Sequence, residues 1–113
     1  MKLNNEFIGM DLSQATLRTE DLTVAFVDFL KGLIPQKDFA DVPTKKEKLI
    51  INNVIKEGEH IIKNKLFDDE DISYYLNETL FDLLNSMAPT NCRFGSHSAD
   101  GALFGFWIVE EEV

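Results

Sequence analysis

Apolar positions recur through the middle of the chain at the three- and four-residue spacing of helices, and the last stretch alternates as strands do. In "TEDLTVAFVDFLKGL" (residues 19–33), Leu22, Ala25, Phe26, Phe29, Leu30 and Leu33 fall on one helical face. Thr19 is placed to cap this helix. Glu20 and Asp21 sit in its first turn, where negative charge meets the positive end of the helix dipole. Gly32, Pro35 and Pro43 end the pattern and predict a loop, "PQKDFADVPT". A second helix follows a Thr44 cap through "KKEKLIINNVIKEGEHIIKNKLF", with Ile51, Val54, Ile55, Ile61 and Ile62 in one stripe. The stripe passes through Gly58 without losing phase. A glycine inside a helix costs about 1 kcal/mol relative to alanine, so its presence predicts a close crossing with another helix rather than a break.

"DDEDISYYLNETLFDLLNSMAP" (residues 68–89) predicts a third helix, capped by Asp68 or Asp69 and stopped by Pro89. Ile72, Leu76, Thr79, Leu80, Leu83 and Met87 make its core stripe. Tyr74 and Phe81, seven residues apart, share the far side. Either the C-terminal residues cover them or they form an exposed aromatic pair. At the other end of the chain, Phe7, Ile8, Met10 and Leu12 surround Gly9, and residues 1–18 read as a short strand or an ordered coil.

"CRFGSHSADGALFGFW" (residues 92–107) reads as a β-hairpin turning at Asp100-Gly101. A two-residue loop would mix apolar and polar side chains on both faces. A three-residue loop, Ala99-Asp100-Gly101 with Gly101 left-handed, sorts them. Cys92, Phe94, Phe104, Phe106 and Ile108 then face inward, while Arg93, Gly95, His97, Leu103, Gly105 and Trp107 face outward. In that register Gly95 lies opposite Gly105 and Arg93 opposite Trp107. Two facing glycines leave bare backbone that a ring or another chain can approach closely. One reading is cover by the Trp107 indole or by the N-terminal segment; the other is a shallow groove for a partner. The second makes Arg93, Gly95, His97, Gly105 and Trp107 candidate partner-binding residues, with Tyr74 and Phe81 as a further candidate surface. The predicted fold class is α+β: three amphipathic helices packed on a C-terminal antiparallel β-hairpin, with a short N-terminal strand as the open question.

At 113 residues the chain fits a single domain spanning residues 1–113, and 44% hydrophobic residues with nine phenylalanines supply an aromatic-rich core. The net charge of −9 repels phosphate backbones, so direct nucleic-acid binding is not expected. The same charge keeps the chain soluble and speeds encounter with a basic partner. No apolar run reaches membrane-spanning length and no leader pattern opens the chain, so a cytoplasmic location without membrane attachment is expected.

The single cysteine, Cys92, leaves no internal disulfide and no metal-ligand spacing with His60 or His97. Ser96, His97 and Asp100 do not make a catalytic triad, because neighbouring strand residues point to opposite faces. The acids of residues 68–71 lack the alternation and glycine of a calcium loop. Glu110, Glu111 and Glu112 read as protection of a strand edge. Neither catalytic residue, metal nor cofactor is expected.

"ATLRTEDL" (15–22), "MAP" (87–89), "FGSH" (94–97), "DG" (100–101) and "FGFW" (104–107) together resemble small uncharacterised proteins of gut bacteria, their phages and mobile elements. The resemblance covers both ends of the chain and leaves the middle helix outside it; it brings a setting and no established activity. In that setting the expected function is a small acidic, non-enzymatic protein-binding protein. One form of it is an inhibitor of a host defence or DNA-binding enzyme, its acidic surface meeting a basic groove. The alternatives are a structural or accessory module that pairs as a homodimer, through hairpin edges or the Tyr74/Phe81 surface, and a small-molecule-binding domain using the glycine groove.

Overall fold

The computed structural model describes residues 1–14, 17–65 and 73–109. Their order is β1 (Lys2–Leu3), a 3-10 turn (Asn5–Phe7), β2 (Asp11–Ser13), α1 (Thr19–Gly32), α2 (Pro35–Asp38), β3 (Phe39–Asp41) and α3 (Lys45–Asn64). A π-helical segment (Tyr75–Leu80) then runs into α4 (Phe81–Ser86), followed by β4 (Cys92–His97) and β5 (Asp100–Ile108). The class is α+β, as the hydrophobic pattern predicts. The N-terminal segment does form strands. β2 pairs antiparallel with β5, giving a three-stranded sheet in the order β2-β5-β4, and β1 pairs with β3 in a separate two-stranded ribbon.

α1 joins the layers. Phe26 on its inner face meets the rings of Phe94 at 5.2 Å, Phe104 at 5.8 Å and Phe81 at 5.8 Å, all tilted or edge-on. Phe29, one turn on, meets Phe106 at 5.9 Å and Phe7 at 5.7 Å. Such edge-on pairs add about 0.5–1.5 kcal/mol each beyond the area they bury. Arg18, not Thr19, occupies the N-cap of α1, and no side chain caps it. Its neighbour α3 begins as expected. Thr44 accepts the Glu47 backbone N–H, and the Glu47 carboxylate accepts the Thr44 N–H at 2.9 Å, a reciprocal capping box. The Thr44 N–H foremost, and then the N-terminal ammonium 3.2 Å from Glu47 Oε2, hold the Glu47 carboxyl below its usual range.

Gly58 marks the predicted crossing. A β-carbon there would overlap Val27 of α1 and approach the Tyr75 hydroxyl to 2.5 Å. Tyr75 is 2% exposed and donates its hydroxyl to the Val54 carbonyl at 2.7 Å, tying the π segment to α3. Burial, with a smaller push from the Glu57 charge, raises its phenol well above the ordinary value.

Besides the α1 cap, four expectations need correction. The predicted loop after α1 contains α2 and β3, because β3 finds a partner in β1 from the far N-terminus. The third helix is not a plain α-helix over its described part. A π turn accommodates one extra residue, which rotates the downstream residues by about 100°, so Tyr74 and Phe81 do not form a pair. Tyr74 is 68% exposed, whereas Phe81 turns into the ring cluster, 5.3 Å from Phe94. The capping acids of residues 68–71, with Ile72, lie outside the described residues, as do Glu110, Glu111 and Glu112.

The hairpin turn is the third correction. Pairing follows the expected register from Cys92↔Ile108 through Gly95↔Gly105 to Ser96↔Phe104, then shifts so that His97 pairs with Asp100. The chain reverses at Ser98-Ala99, residues 101–103 bulge from β5, and Gly101 is not left-handed; Gly9, at φ 78°, is the glycine with positive φ among the described residues. Side chains hold this turn. His97 Nδ1 accepts the Ala99 N–H at 3.0 Å and Asp100 Oδ1 accepts the Ala102 N–H at 3.1 Å, so no left-handed glycine is required. Fourth, inward burial stops one rung short. Phe94, Phe104 and Phe106 are buried, but Cys92 is half-buried and Ile108 is 62% exposed.

Candidate functional site

The outward face of β4 and β5 gathers five of the residues singled out from the sequence. Gly95 and Gly105 do face each other, and the bare backbone they leave is covered by the chain's own side chains. Trp107 lies across it, donating its indole N–H to the Gly95 carbonyl at 2.8 Å. A β-carbon at Gly105 would overlap the Met10 carbonyl and meet Trp107 Cζ2 at 3.0 Å, so the indole and the N-terminal segment both use the space. At Gly95 the occupant is Arg93, whose Nη1 lies 2.6 Å from where a β-carbon would stand. The His97 ring packs edge-on against the Trp107 indole at 4.8 Å, while its Nδ1 is committed to the turn. An accepting Nδ1 places the proton of the neutral ring on Nε2.

Beside this covered patch opens a cleft of about 520 Å³. Arg93, His97 and Trp107 form one wall, Ile8 and Gly9 a second, and Ile108 and Val109 the third. Ile108 (62%) and Val109 (45%) are exposed, and Met10 nearby is 43% exposed. The second wall and the exposed tail of β5 were not legible as site residues. The apolar cluster around Gly9 was the available signal, since it placed hydrophobic side chains beside a flexible backbone. Tyr74 and Phe81 belong to other parts of the molecule and take no part in lining this cleft.

The free edge of β4 is partly occupied. The Cys92 N–H donates to the Pro89 carbonyl at 2.9 Å, the Phe94 N–H to Asn85 Oδ1 at 3.1 Å, and the Ser96 carbonyl accepts Arg93 Nη2 at 3.2 Å. Three of the backbone groups that could recruit another strand are thereby paired within the chain.

His97 and Ser96 sit on opposite faces of β4, which separates the one imidazole here from the nearest hydroxyl of the strand. Burial pushes the Cys92 thiol up, with Lys2 opposing weakly, so it is a poor nucleophile. Among the described residues, no group of three His, Cys, Asp or Glu side chains is placed to hold a metal ion, and no helix is long and apolar enough to cross a membrane.

Fold and cleft together define an α+β domain with an aromatic, partly apolar outer sheet face. Compared with protein-family models, curated proteins and solved structures, the chain matches none.

Proposed function

We propose that the protein is a non-enzymatic binding module that docks on another protein through the outer sheet face. The cleft carries this reading. A half-buried tryptophan and an arginine, fixed by hydrogen bonds to Gly95 and Ser96, stand beside three exposed apolar side chains. Tryptophan and arginine, held rigid and ringed by apolar contacts, are the residue types that dominate binding energy at protein interfaces. The three paired backbone groups on the β4 edge favour a partner that reads side chains over one that adds a strand there. The net charge of −9 speeds the approach of a basic partner, a class that includes DNA-handling enzymes.

Affinity capture at physiological salt tests the proposal with three baits: the unaltered chain, Ile108→Ser/Val109→Ser, and Asn53→Ala on exposed α3. Thermal unfolding first confirms that all three fold. A partner held by the first and third baits and lost from the second supports the reading. Capture that ignores the Ile108/Val109 change, or no saturable partner at all, refutes it.

The cleft volume also falls within the range of small-molecule sites, about 300–1,000 Å³. Trp107 fluorescence that shifts saturably with one metabolite would favour that second reading.

A further inference from the structure

We infer that the groove between the end of α1 and the first half of α3 is a second docking surface, shaped for an acidic amphipathic helix of another protein. It lies apart from the Trp107 cleft and shares no residue with it. Leu30, Leu33 and Pro35 form one wall, Ile51 and Ile55 the other, with Phe39 between, around a cavity of about 230 Å³. A cavity of about 150 Å³ already accepts benzene, so this one takes one aromatic or about two branched apolar anchors.

The surroundings carry more apolar surface than the fold uses. α3 contains "LII" (residues 49–51), and only Ile51 turns into the groove. Leu49 (59%) and Ile50 (46%) stay in water, as does Ile34 (54%) on the opposite rim. On α3 the groove is lined by Lys48, Ile51, Asn52 and Ile55, the i, i+3, i+4, i+7 ladder that a partner helix packs against.

Charge selects the occupant. Among the described residues the groove is lined by two lysines, Lys31 and Lys48, and by no acid. Two acids of the flanking segments serve the chain's own caps. Asp38 Oδ2 accepts the Ile34 N–H at 2.7 Å, and Glu47 closes the capping box of α3. Of the two lysines lining the groove, Lys31 lies 3.9 Å from Glu59, and Lys48 has no carboxylate within 4.0 Å among the described residues. A greasy slot with ammonium groups at its rim complements a helix with apolar anchors flanked by Asp and Glu. The same lysines would attract an anionic bilayer, so shape rather than charge separates it from a helix, and a second copy of the chain is separated by its self-association. The concave floor fits a ridge of side chains better than a flat lipid surface.

The probe is a fluorescent helical peptide with leucines at i, i+4 and i+7 and glutamates at the remaining surface positions. Its lysine-for-glutamate counterpart and vesicles of equal phosphatidylserine and phosphatidylcholine serve as the other arms. The acidic peptide is expected to bind saturably and more weakly as salt rises. Reversing both charges in Lys31→Glu/Lys48→Glu should weaken it at least about tenfold, the equivalent of about 1.4 kcal/mol, with a cooperative thermal melt retained. Ile108→Ser/Val109→Ser should leave it intact, which separates this surface from the Trp107 cleft. Equal binding of the basic peptide, preference for vesicles, self-association abolished by the charge reversal, or indifference to that reversal would each overturn the inference.

Discussion

Replacing Gly58 with alanine tests the helix crossing on which the core depends. In an unhindered helix the change stabilises by about 1 kcal/mol, because alanine loses less backbone freedom than glycine. At this position the new methyl overlaps Val27 and comes within 2.5 Å of the Tyr75 hydroxyl. Neither neighbour has room to withdraw, since Val27 is 1% exposed and Tyr75 2% exposed. Overpacking of this kind costs about 1–3 kcal/mol. Displacing Tyr75 from the Val54 carbonyl adds a further cost of about 1–3 kcal/mol, because both groups stay buried. The net expectation is a loss of about 3 kcal/mol. At about 4 °C per kcal/mol for a domain of this size, the midpoint falls by about 12 °C in a calorimetric or circular-dichroism melt. Tyr75→Phe removes one of the two obstacles and leaves Val27, so Gly58→Ala should cost at least about 1 kcal/mol less in that background, a coupling expected of side chains in contact. A Gly58→Ala protein that melts higher than its parent, or a cycle with no coupling, would refute the crossing.

Gly105→Ala should be damaging for a different reason: its methyl meets the Met10 carbonyl, so β2 must leave β5, and amide exchange of residues 9–13 should accelerate while the α3 amides stay protected. Thr23 is fully buried and its hydroxyl has no hydrogen-bond partner among the described residues, so Thr23→Val should raise stability by about 1 kcal/mol in urea unfolding. Tyr75 gives a pH dependence with a definite sign. Its phenol is held protonated in the fold and ionises freely near pH 10 when unfolded, so its contribution is full below that pH and is lost as pH rises above it. Alkaline melts of the parent should therefore fall more steeply than those of Tyr75→Phe.

What the sequence disclosed was what repeats. The α1 and α3 faces, the Gly58 crossing and the Gly95–Gly105 pairing all come from counting residues along one element, where periodicity fixes direction. The misses involve partners distant in the chain or side chains acting locally. β3 looked like loop because the strand that pairs with it, β1, lies at the opposite end of the sequence. The π segment hid from a rule that assumes 3.6 residues per turn, which concealed the burial of Tyr75 and misplaced Phe81. The hairpin turn went wrong because glycine was given the work that His97 and Asp100 do with their own acceptors. In the cleft, β4 and Trp107 were legible, whereas Ile8 and Gly9 arrive only when β2 docks on the sheet.

The pairing of Asn85 with the Phe94 amide, beside the Pro89 and Arg93 contacts, has a consequence for the molecule in a crowded solution. Ribbon-like stacking begins when one molecule lends its hairpin as a template to the next, and on the β4 flank that template is already partly taken. Concentrated samples should therefore resist fibre growth along that flank for as long as these three contacts hold.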